Sequence, residues 1–160
     1  MKILNDLKIK IFADGADLES IRKLNEIDYI KGFTTNPSLM KKAGIKDYKK
    51  FALNLLSQIK DKPISFEVFS DDINEMESQA EEIASWGKNV NVKIPITNSK
   101  KESTSNLIKK LSSRKVICNI TAIFTIDQIK EVLEVLDKST PAILSIFAGR
   151  IADTGIDPLK

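Results

Sequence analysis

The chain has 160 residues, 42% hydrophobic and 29% charged, with 25 basic residues against 22 acidic ones and a net charge of +3. That is an ordinary globular composition with room for one domain and a real core, and no apolar run reaches the roughly 20 residues of a membrane span. Histidine is absent and Cys118 is the single cysteine, which excludes His-dependent triads, the usual zinc sites and an internal disulfide. The basic residues are dispersed among acids without interleaved aromatics, so neither nucleic acid nor membrane is an expected partner. The segment Met1 to Lys8 is too charged, and its apolar stretch too short, for a signal peptide, so the expected compartment is the cytoplasm.

Short β-rich runs alternate with helical patterns. A first strand is predicted over Lys8 to Ala13. A helix over Asp17 to Glu26 follows, with Asp17 as N-cap and Leu18, Ile21 and Leu24 on one face. Ile30 to Thr34 is a second strand. A short helix starts at Pro37, which suits a first helical position, and stops near Gly44. Asp47 to Lys60 is a longer helix with Phe51, Leu55 and Ile59 at helical spacing. Ile64 to Phe69 is a third strand, and Asp72 to Trp86 a helix that ends at Gly87. Val90 to Ile94 is a fourth strand, Glu102 to Leu111 a helix, Val116 to Ile120 a fifth strand, Ile126 to Leu136 a helix, and Ala142 to Phe147 a sixth strand. This alternation argues for parallel βαβ units, either an open doubly wound sheet or part of a (β/α)8 barrel.

In parallel α/β folds, function gathers where strands end and βα loops begin. Those positions carry polar residues here. Strand 1 ends at Asp14, a turn or cap residue on the plainer reading. Strand 2 ends in Thr34-Thr35-Asn36-Pro37, which also serves as a helix entry. Strand 3 carries Glu67 between apolar Phe66 and Val68, on a strand expected to be buried on both faces. Strand 5 ends in Asn119-Ile120-Thr121, whose polar residues either act in a site or cap the next helix. Strand 6 carries Ser145 and ends at Phe147, with Arg150 beyond it as a binding residue or as partner of a surface carboxylate.

Strand 4 is the most informative. Asn91-Val92-Lys93-Ile94-Pro95 places one lysine in an apolar, β-branched run. Lysine is rarely buried unless paired or used. It either snorkels to water or acts as a nucleophile, because desolvation favours the neutral amine that attacks a carbonyl. Polar residues at the same end of six strands favour the nucleophile.

These segments resemble the transaldolase family, close to its small single-domain transaldolases and fructose-6-phosphate aldolases. The similar stretches are Phe12 to Asp17, Gly32 to Leu39, Ile64 to Val68, Asn91 to Pro95, Asn119 to Ala122 and Phe147 to Ile151, in family order over nearly the whole chain. The resemblance implies an α/β fold of the (β/α)8 TIM-barrel family and class I aldolase chemistry without metal or diffusible cofactor. It implies that Lys93 forms a Schiff base, Asp14 acts as acid–base group, and Glu67 works through a water with help from Thr121. Asn36, Thr35, Asn119, Ser145 and Phe147 are then substrate-binding, and Arg150 holds the phosphate. The implied substrates are sugar phosphates of the fructose 6-phosphate, erythrose 4-phosphate and sedoheptulose 7-phosphate class. The full-length form is then a homo-oligomer. Glutamate at position 67 resembles the transaldolases, whereas the aldolase branch has glutamine. Phe124 lacks the hydroxyl of that branch's tyrosine. Transfer of a dihydroxyacetone unit is therefore preferred to simple cleavage.

About six βα units are expected over residues 1–160, as one barrel domain cut short at its C-terminus. Asp157-Pro158 reads as the start of a helix that does not continue. The favoured explanation is a fragment of a longer protein; a truncated gene product, inactive, or completion by a second chain are the alternatives.

Overall fold

The computed structural model describes residues 8–159. Strands and helices alternate in the order β1 (Ile11–Asp14), α1 (Leu18–Asn25), β2 (Ile30–Thr34), α2 (Pro37–Lys42), α3 (Tyr48–Gln58), β3 (Ile64–Glu67), α4 (Ile73–Ser85), β4 (Val90–Pro95), α5 (Ser105–Ser113), β5 (Cys118–Ile123), α6 (Ile126–Val135), β6 (Ala142–Ile146) and α7 (Ala148–Asp153). The expectations for Met1 to Leu7 and for Lys160 lie outside the described residues. No helix among those described is long and apolar enough to cross a membrane.

Local chemistry sets most boundaries. Asp17, Asn36 and Asp47 each accept a hydrogen bond from a backbone N–H three residues on, capping α1, α2 and α3. Pro37 stands at the start of α2, and Gly44 closes the turn after it with φ +70°. The predicted starts of several elements shift, β5 from Val116 to Cys118 among them. β1 begins at Ile11 rather than Lys8, because its register partner Ile30 is the first residue of β2. α5 begins at Ser105 rather than Glu102, because Glu102 is spent in a turn. There the Asn98 amide donates to its carboxylate at 2.6 Å, and the Thr104 hydroxyl donates to the Pro95 carbonyl at 2.7 Å.

The described residues fall into two compact units: one runs through Glu67 and adds Ile83–Asn91, the other holds Val68–Glu82 and the chain from Val92 onward. In the first unit, β1 pairs with β2 and β2 with β3, all parallel, and the Ile64 N–H donates to the Asn89 carbonyl at the threshold of β4. Its buried side chains include Ile21, Phe33, Phe51, Leu55, Ile59 and Phe66. In the second, the Val68 N–H donates to the Lys93 carbonyl, β4 pairs with β5 and β5 with β6, again parallel. Met76, Ile94, Leu107, Ile108, Leu111, Ile120 and Val132 form its interior. Within each unit, each strand thus bonds to the next in sequence. That is barrel-type winding, without the reversal that creates a doubly wound sheet.

Gly32 permits a close approach. A Cβ there would stand 2.2 Å from Cε1 of Phe12, its partner across β1 and β2. Only glycine lets the Phe12 ring lie over β2.

Candidate active site

In the second unit, β4 and β5 run in register, so Lys93 stands beside Asn119, and Pro95 beside Thr121. Register partners in a parallel sheet project to the same face, and so do residues two apart. Lys93, Asn119 and Thr121 therefore share one face. Ser145 on β6 joins them, its hydroxyl donating to Asn119 Oδ1 at 2.7 Å. Lys93 retains 9% of its exposure while Val92 and Ile94 beside it retain none. Most of the Lys93 side chain is thus withdrawn from water.

Thr121 is 2% exposed, and its Oγ1 has no hydrogen-bond partner among the described residues. A buried hydroxyl left unpaired costs about 1–3 kcal/mol, so it calls for a partner such as water or substrate. Asn119 and Thr121 do not cap a helix, which corrects that alternative. β5 continues through Ile123, and Thr125 caps α6 in a reciprocal capping box with Gln128. The strand's longer run keeps both polar side chains on the sheet face.

Phe147 follows β6 and packs edge-on against Phe124, ring centroids 5.7 Å apart. Arg150 lies on α7, an element the sequence pattern did not predict, and bonds to Asp153 at 3.3 Å on the exposed surface. Its pairing with a surface carboxylate is therefore present. An ion pair this exposed contributes about 0–1 kcal/mol.

In the first unit, Asp14 ends β1, and the cap of α1 is Asp17. Its Oδ1 accepts the Thr34 hydroxyl at 2.7 Å from the adjacent strand. Thr35 is 1% exposed; its N–H donates to the Ser65 carbonyl, and its Oγ1 is buried without a partner among the described residues. Asn36 serves as the cap of α2, as its helix-entry reading required. Glu67 ends β3, half-buried. The sequence reading overlooked its neighbour Tyr48, whose hydroxyl donates to the Glu67 backbone carbonyl at 3.0 Å. Burial pushes the Tyr48 phenol far above its usual range, and the nearby Glu67 charge adds to the shift, so it stays a donor at all physiological pH. Its ring is held edge-on by Phe66 and Trp86, with centroids at 6.1 and 5.2 Å. A lone tyrosine among lysines at a helix start was the available signal.

A buried lysine on a parallel strand, sharing its face with polar side chains of β5 and β6, marks a βα protein with a polar cluster on its strands. The chain belongs to the transaldolase/fructose-6-phosphate aldolase family, whose pattern matches residues 11–160. It is similar to a protein of Streptococcus agalactiae named "Probable transaldolase", 38% identical over 149 residues that cover 93% of this chain and 65% of that protein. A "Probable transaldolase" of Dehalococcoides mccartyi shows the same identity and coverage. One of Clostridium kluyveri is 36% identical over 152 residues, covering 95% of this chain and 66% of its own length. The chain spans about two thirds of the length of these curated relatives.

Proposed function

We propose that the protein carrying this chain is a transaldolase that moves a dihydroxyacetone unit between sugar phosphates through a Schiff base on Lys93. The observation that carries the reading is the burial of Lys93 on the same face as Asn119, Thr121 and Ser145. Family membership supports it.

The neutral Lys93 amine attacks the ketose carbonyl to form a carbinolamine, which loses water to give a protonated imine. The iminium is an electron sink. When the C3–C4 bond breaks, its electron pair enters the imine system as an enamine, while the C4 hydroxyl gives up its proton and leaves as aldehyde. Asp14 is the base for that proton. Glu67, acting through a water, and Thr121 move protons in carbinolamine formation and dehydration. Asn36, Thr35, Asn119, Ser145 and Phe147 hold the three-carbon unit, and the planar fork of Arg150 takes the phosphate. The enamine then attacks an acceptor aldehyde, and hydrolysis of the new imine frees Lys93.

A coupled assay with fructose 6-phosphate and erythrose 4-phosphate tests this in the native polypeptide that contains the chain. Transfer to the acceptor is expected, and Lys93→Ala is expected to lower kcat by at least about a thousandfold. Release of free dihydroxyacetone without transfer would indicate the aldolase activity instead. Full turnover by Lys93→Ala would refute the mechanism.

A further inference from the structure

The pairing of β5 with β6 contains one irregularity. Ile120 is the register partner of Leu144, yet Ile123 is the partner of Ile146. β5 therefore takes three steps where β6 takes two, which is a β-bulge. Ala122 lies inside it with φ +59°, in the left-handed region that favours glycine. Both neighbours are tied down: the Ile96 N–H donates to the Thr121 carbonyl and the Phe147 N–H to the Ile123 carbonyl, each at 2.9 Å.

The extra residue decides which face Ile123 occupies. Without it, strand alternation would carry Ile123 onto the face of Asn119 and Thr121, because a one-residue slip exchanges the faces. With it, Ile123 falls beside Ile146 and Ile120 on the opposite face and is fully buried. Thr121 thus stands on the lysine face directly before the extra residue, and its buried hydroxyl has no partner among the described residues.

We propose that Ala122 is a positioning residue: its left-handed backbone keeps Ile123 off the Lys93 face and leaves the Thr121 hydroxyl open to the reacting groups. The proposal rests on the Schiff-base reading and adds to it a residue that acts through its backbone conformation. A strained conformation held by the surrounding ladder is characteristic of functional positions.

The test is a substitution series in the native polypeptide, graded by tolerance of positive φ. Ala122→Gly and Ala122→Asn keep the bulge accessible. They are expected to retain turnover within about twofold, since the bulge geometry is unchanged. Ala122→Val, β-branched, opposes the left-handed conformation and favours a regular strand. It is expected to slow imine formation about tenfold or more at saturating fructose 6-phosphate, with KM changed much less, because a small displacement of a reacting group costs that much. If Val does not fold, as judged by circular dichroism, Ala122→Leu replaces it with the same expectation. Equal turnover by Gly, Asn and the folded bulky variant would overturn the role of Ala122. Loss with Gly would overturn it too. Borohydride trapping at Lys93 in the unsubstituted protein keeps the outcomes apart: if trapping fails there, the Schiff-base reading falls; if it succeeds and the series is flat, only the positioning role falls.

Discussion

Asn119 receives the hydroxyl of Ser145 across the β5–β6 pair, and both stand on the Lys93 face. Replacing Ser145 by Ala removes the donor and leaves a buried amide oxygen with one bond fewer. The expected loss is about 1 kcal/mol of stability in denaturant unfolding, with a further loss in kcat/KM because Asn119 is no longer aimed. Unchanged kcat/KM would separate Ser145 from the site. Cys118, three residues before Thr121 and by strand alternation on the face of Ile120, gives the contrasting case. It is buried and its thiol is pushed up to about 12 by desolvation. Since only the thiolate alkylates, iodoacetamide at pH 8 is expected to leave Cys118 unlabelled in the folded protein and to label it in denaturant. Rapid labelling under native conditions would show that β5 is more open than its burial indicates.

Among the elements, β2 depends on an omission. Gly32→Ala places a methyl carbon 2.2 Å from the Phe12 ring, so the ring must swing away. Overpacking of this kind costs about 1–3 kcal/mol. Thermal unfolding is expected to show that loss, and Phe12→Ala in the Gly32→Ala background is expected to recover part of it. Additive effects of the two substitutions would contradict the contact. The same elements show what was legible in the sequence. The start of α2 was readable, because Asn36 and Pro37 act through backbone groups within three residues of themselves. The end of β5 was not. Alanine carries no local signal for positive φ, and the bulge at Ala122 is imposed by pairing with β6, more than twenty residues later. α7 was missed for a related reason: six residues with none buried leave no periodic apolar stripe to detect.

At the scale of the whole chain, the six strands, the lysine strand among them, and the helices between them were readable because period-two and period-3.6 patterns extend over several residues. Tyr48 was not, since its link to Glu67 joins positions nineteen apart. Charge is also distributed with a consequence for stability. Hydrogen bonds from Lys115 and Ser139 to Asp137, from Ser99 to Asp71, from Lys110 to Glu77, and from Ser103 and Ser105 to Glu131 hold these carboxyls below their usual range. A carboxyl whose folded pKa is depressed stabilises the fold above its unfolded pKa and loses that contribution as pH falls through the folded value. With unfolded values of 3.8 for aspartate and 4.5 for glutamate, Tm is expected to hold between pH 7 and about pH 5 and to fall progressively below about pH 4. A Tm that rose on acidification would contradict these pairings. The central claim, that Lys93 is the nucleophile, is tested most directly by covalent trapping. The native polypeptide is incubated with fructose 6-phosphate, reduced with borohydride and mapped by peptide mass spectrometry. A reduced three-carbon adduct is expected on the peptide containing Lys93, and on no other lysine. An adduct elsewhere, or none from a folded protein, would contradict it.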